Sequence, residues 1–193
     1  APRFTRSGGS SAPLRQAIAV LPFRNLSAAA ENDYLCDGLA EELLNALAKK
    51  IPWLIGGSAD RVGIVSQVSV ASGVAASALR PGDQVLLAEE DFTSVLFPFL
   101  QLEETGVDVR VVPFDRLIDA IEPATTMVAV SAVQSADGRV LDLDAFHSAA
   151  IGHDVLTYVD LSQAASWLAI DADRFDITAC GAYKWLCCPR GTG

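Results

Sequence analysis

The chain has 193 residues, of which 51% are hydrophobic and 20% charged, a balance that excludes wholesale disorder. Its net charge is −10 and no Lys/Arg cluster is longer than Lys49-Lys50, which argues against nucleic acid or an anionic membrane surface as a partner. No apolar run reaches the ~18 residues of a bilayer span, and the Ser/Gly-rich start lacks the apolar segment of a signal peptide, so a cytoplasmic protein is expected.

In chain order, residues 1–14 read as a flexible leader. Ala17–Leu21 is a short buried strand, and Asp37–Lys50 a helix with Leu39, Leu43, Leu44 and Leu47 on one face. Asp37 suits its N-cap and Pro52 its stop. The rhythm changes at Pro52-Trp53, the best candidate junction. Beyond it, strand-like apolar runs fall at Val62–Val65, Gln84–Ala88, Val107–Val112, Thr126–Ser131, Val155–Val159 and Ile177–Cys180. Helical candidates lie between them at Ala71–Leu79, Ser94–Glu104, Arg116–Ile121, Asp142–Ile151 and Gln163–Leu168. This alternation predicts an α/β fold, a mostly parallel sheet with helices on both faces, and places a ligand at the carboxyl ends of the strands.

Two strand ends carry chemistry. Asp160 closes the run Val155–Val159, and Lys184 follows Ile177–Cys180 within Gly181-Ala-Tyr183-Lys184-Trp185-Leu. Taken singly, Asp160 is a helix N-cap and Lys184 a snorkelling surface lysine. Taken together, they fit an imine-forming lysine and a carboxylate facing a pyridinium nitrogen, the pair that pyridoxal phosphate requires.

Val159-Asp160-Leu-Ser-Gln163-Ala, followed 24 positions after Asp160 by Lys184 in Tyr183-Lys184-Trp185-Leu and then Pro189-Arg-Gly, resembles the class V aminotransferase-like enzymes. These are fold type I pyridoxal-phosphate proteins that include cysteine desulfurases, kynureninases and isopenicillin N epimerase-like proteins. The resemblance covers about 54–193. It implies pyridoxal 5'-phosphate as cofactor and an amino acid as small-molecule substrate. Lys184 would be the Schiff-base lysine and α-proton base, Asp160 the partner of the pyridinium nitrogen, Gln163 of the phenolic oxygen, and Tyr183 of the phosphate. Phe92, in Glu90-Asp-Phe92-Thr-Ser94, would stack on the ring; its alternative is a core phenylalanine. Val68-Ser69 would cradle the phosphate at a helix start; its alternative is an ordinary Ser-rich cap. Ser131 to Gly138 resembles the loop after the next strand, with no role assigned to one residue.

The same resemblance implies a homodimer for the full-length family, and a chain that lacks the small domain and so binds cofactor weakly with little turnover. Residues 17–54, with Ala17-Ile-Ala-Val-Leu-Pro-Phe23 and Asp37-Gly38-Leu-Ala-Glu41, resemble the start of a TolB-like N-terminal domain. The domain organisation expected is therefore 1–14 leader, 15–53 TolB-like piece and 54–193 incomplete cofactor-binding domain. A non-catalytic TolB-like signalling or scaffold protein is the alternative function. The cysteines Cys36, Cys180, Cys187 and Cys188 show no CxxC spacing and read as reduced thiols. His147 and His153 have no metal-ligand spacing and read as solvated or capping, so no metal is expected.

Overall fold

The computed structural model describes residues 61–187. The leader, the TolB-like stretch, the Pro52-Trp53 junction, Cys36, Cys188 and the Pro189-Arg-Gly end of the motif lie outside them. The described chain forms α1 (Val68–Ala76), β1 (Gln84–Ala88), α2 (Thr93–Leu100), β2 (Asp108–Val112), β3 (Thr125–Ser131), α3 (Leu143–His153), β4 (Leu156–Asp160) and β5 (Ile177–Ala179). The strands make one sheet in the order β2-β1-β3-β4-β5, and every pairing is parallel. The α/β architecture expected from the alternation is the one the chain adopts.

Burial explains the unbroken apolar runs. Every residue of β1 and β4 is buried, because both sheet faces are covered. Alternation along each strand divides the core in two. Val85, Leu87, Met127, Ala129 and Tyr158 pack with Val68, Ala75 and Ala76 of α1 and with Val95 and Phe99 of α2. Leu86, Ala88, Val128, Val130 and Val159 pack on the opposite face with Phe146 and Ala150 of α3 and with Phe175. The strand β2 lies at the sheet edge and is only partly buried.

Several expected elements differ. Val62–Val65 pairs with no strand among the described residues; Gly63 interrupts the run, which stays half-buried and leads into α1. That helix starts three residues earlier than its periodicity suggested, at Val68, and ends where Ser77 turns its hydroxyl to the Val74 carbonyl. The Ser94–Glu104 candidate is α2 followed by a 3-10 turn over Gln101–Thr105. Arg116–Ile121 keeps only a 3-10 turn at Phe114–Arg116 and open turns after it. Gln163–Leu168 is a string of turns rather than a helix, because Ser166 adopts a left-handed φ of 78° that no continuing helix accepts. The Asp142 start of α3 is as expected: its side chain accepts from the Ala145 amide at 3.0 Å.

Candidate active site

The order of strands reverses between β1 and β3, since the chain steps outward to β2 and then returns past β1. Parallel sheets open a crevice at such a point, outside the carboxyl ends. A cavity of about 320 Å³ occupies that place. Ser66, Gln67 and Val68 contribute the start of α1; Phe92 and Ser94 follow β1; Ser131 and Ser135 come from the end of β3 and its loop. Asp160, Ser162 and Gln163 follow β4, and Tyr183 and Lys184 follow β5.

Asp160 ends β4 with Ser131 of β3 on one side and Ala179 of β5 on the other. It is 3% exposed, and its Oδ1 accepts from the Ser162 amide at 2.8 Å. Burial raises its pKa from the ordinary 3.8 to about 6; the hydrogen bonds of Ser162 pull the other way, the charge of Asp91 adds to the rise, and Lys184 opposes it. Lys184 is half-buried, with its ammonium over the ring of Phe92, 5.2 Å from the centroid. Phe92 is 40% exposed at the cavity wall, so it is not the core phenylalanine that was its alternative.

The loop that carries Lys184 is tied to the loop after β4. The Ser162 hydroxyl accepts from the Gly181 amide at 2.6 Å, and the Lys184 amide donates to the Gly181 carbonyl at 3.3 Å. Gly181 is tightly hemmed in: a Cβ there would sit 3.1 Å from Ser162 Oγ and 3.2 Å from Tyr183 Cε1, so one of these side chains would have to give way. Gln163 donates to the Ser135 hydroxyl at 3.2 Å, joining the loops after β3 and β4.

The fold thus gathers Lys184, Asp160, Gln163, Tyr183, Phe92 and Val68 around one cavity. Ser69 is the exception. It lies one residue further along α1, outside the cavity lining, which takes Ser66 and Gln67 just before the helix and Val68 at its start. Sequence reasoning passed over Ser131, Ser162 and Asp91. The signal that singled out Asp160, a carboxylate after a fully apolar strand, applies equally to Asp91, just beyond β1. Gln134, 2% exposed on the loop after β3, has an Oε1 without a hydrogen-bond partner.

Residues 39–193 match the family described as Aminotransferase class-V. A probable cysteine desulfurase of Methanothermobacter thermautotrophicus is 32% identical over 168 residues, covering 80% of this chain and 42% of that protein. Isopenicillin N epimerase of Streptomyces clavuligerus is 28% identical over 204 residues, covering 96% of this chain and 51% of that one. Among solved structures, a mutant of C-DES with glycine covalently linked to its PLP cofactor superimposes with a TM-score of 0.72 at 19% identity, over 82% of this chain and 46% of that one. The cysteine desulfurase of Thermococcus onnurineus gives 0.71 at 16% identity, over 81% and 43%. The chain belongs to the class-V aminotransferase family. It spans about half the length of the relatives it matches. The family match opens at residue 39, inside the stretch likened to a TolB-like domain.

Proposed function

We propose that this chain carries the pyridoxal 5'-phosphate site of an enzyme that acts on an amino acid. One observation carries the reading: the Lys184 ammonium rests on the face of Phe92, and the buried Asp160 lines the same cavity. A lysine amine, a flat aromatic wall and a carboxylate sheltered from water are the donor set this cofactor needs. The cofactor supplies an aldehyde that bonds an amine and a protonated ring that withdraws electrons from the substrate's α-carbon.

The roles of the chain's own residues follow from their chemistry. Lys184 Nζ would hold the cofactor through its aldehyde, and its amine is the base placed to take up the substrate's α-proton. Asp160 would hold the proton on the ring nitrogen. Its raised proton affinity makes it largely neutral below pH of about 6 and ionised above, and a cationic nitrogen beside it would favour the ionised form. Phe92 would stack on the ring and Gln163 would hydrogen-bond the phenolic oxygen. Tyr183, with Ser66 and Gln67 just before α1 and Val68 at its start, would receive the phosphate, for which a helix start is suited. Related proteins named as a cysteine desulfurase and an epimerase support an amino-acid substrate. A homodimer completing the cavity is part of this reading; Phe92 and Tyr183, 40% and 41% exposed, leave aromatic surface for it.

The test is a titration of the purified chain with pyridoxal phosphate. Wild type is expected to give a visible absorbance band that survives dialysis, with borohydride fixing the label on Lys184. Lys184→Ala should give neither. An equal band in the variant, or label on another residue, would overturn the assignment.

A further inference from the structure

We propose that Asp91 is a positioning residue for this cavity, holding Phe92 and Ser131 at the separation that a flat ring between the aromatic wall and the strand ends requires. The proposal rests on the reading of the cavity as a pyridoxal phosphate site. Asp91 does not itself line the cavity, but both residues it holds do. It is 4% exposed, and a carboxylate so buried must be hydrogen-bonded. Its Oδ1 accepts from the Phe92 amide at 2.6 Å and from the Ser131 hydroxyl, and its Oδ2 accepts from the Ser131 amide at 2.7 Å. Bonds to an ionised acceptor are the strong class.

An ordinary helix cap does not explain this arrangement. A capping carboxylate bonds amides two or three residues into the helix. Asp91 instead reaches 40 residues along the chain to the end of β3. Ser131 is in register with Asp160, so fixing Ser131 also fixes the strand end that bears the cavity's carboxylate. The preceding residue supports the point. Glu90 takes a left-handed φ of 61°, costly for a residue with a side chain, and so turns the chain between β1 and Asp91. The negative charge of Asp91 also favours the proton on Asp160, alongside burial.

The experiment uses the full chain as wild type, Asp91→Asn and Asp91→Glu. Asn keeps the shape, but its amide N–H₂ cannot accept where Oδ2 accepts from Ser131. Two NMR readouts need no cofactor: the ring-current shift of the Lys184 ε-methylene from Phe92, and the titration midpoint of the Asp160 carboxyl. In Asp91→Asn the ring-current shift should fall by about half or more as Phe92 loosens, and the Asp160 midpoint should fall. In Asp91→Glu the charge remains, so the midpoint should hold while the ring-current shift falls. Pyridoxal phosphate affinity of both variants should drop about tenfold, and in Asp91→Asn the pH midpoint of affinity should move down with that of Asp160. A folded Asp91→Asn with both NMR signals unchanged overturns the proposal. So does an affinity loss equal at every pH with an unmoved Lys184 signal. Ser131→Ala removes one of the three bonds and serves where Asp91→Asn does not fold; a smaller loss of the same ring-current shift supports the proposal, and no change overturns it. If wild type fails to bind pyridoxal phosphate, the cofactor reading fails, while the two NMR signals still decide whether Asp91 sets the walls.

Discussion

Asp160 is costly where it stands. The folded chain keeps its proton up to pH of about 6, whereas an unfolded carboxylate releases it near 3.8. Between those values the native state binds more protons than the unfolded one, so stability falls as pH rises through that window and the cost is fully present above it. The difference amounts to about 3 kcal/mol at most, at 1.36 kcal/mol for each unit. Asn is neutral at every pH and keeps an acceptor for the Ser162 amide. Asp160→Asn should therefore stabilise the cofactor-free chain by about 1–3 kcal/mol near neutral pH, and the gain should vanish below about pH 4. Urea melts across pH check both statements; a variant less stable than wild type at neutral pH would contradict them. On the proposed role of Asp160 opposite the ring nitrogen, the same variant should bind pyridoxal phosphate far more weakly.

At the scale of elements, the loops after β4 and β5 act as one piece because Ser162 holds Gly181. A Cβ at Gly181 would press on Ser162 Oγ and on the Tyr183 ring, both of them at the cavity. Gly181→Ala should cost about 1–3 kcal/mol of stability. It should also slow covalent capture of pyridoxal phosphate on Lys184 about tenfold, since the lysine shifts with its loop. Stopped-flow absorbance beside a urea melt separates the two effects; unchanged capture would show that the loop's position does not matter. Legibility also divides by element. Gln84–Ala88 was readable to the residue because a fully buried strand is a continuous apolar run with polar ends. Gln163–Leu168 was not, because its apolar spacing suits a helix while the left-handed Ser166 breaks one.

Over the whole described chain, one sheet carries two cores. Leu86 faces α3 and Leu87 faces α1 and α2, and both are fully buried. Neighbours along one strand, they couple the two layers through the sheet. Leu86→Ala and Leu87→Ala should each cost about 2–5 kcal/mol, each in a single cooperative transition. Followed by far-UV circular dichroism and Trp fluorescence, the two probes should melt together; a separate early transition in either variant would show that the layers unfold independently. Among the described residues, no helix is long and apolar enough to cross a membrane.

The sequence alone was enough to place the five strands of the sheet, their alternation with helices, and Asp160 and Lys184 after successive strands. Those features are local: apolar period, turn residues and a charged group after a buried run. The tertiary structure decided what no local pattern encodes. It put the start of α1 at Val68, three residues before its apolar period, with Ser66, Gln67 and Val68 at the cavity. Among the described residues it gave Val62–Val65 no partner strand, and a strand exists only where a partner's backbone is at hand. It joined Asp91 to Ser131 across 40 residues, which is a property of two strand ends lying side by side and not of either stretch by itself.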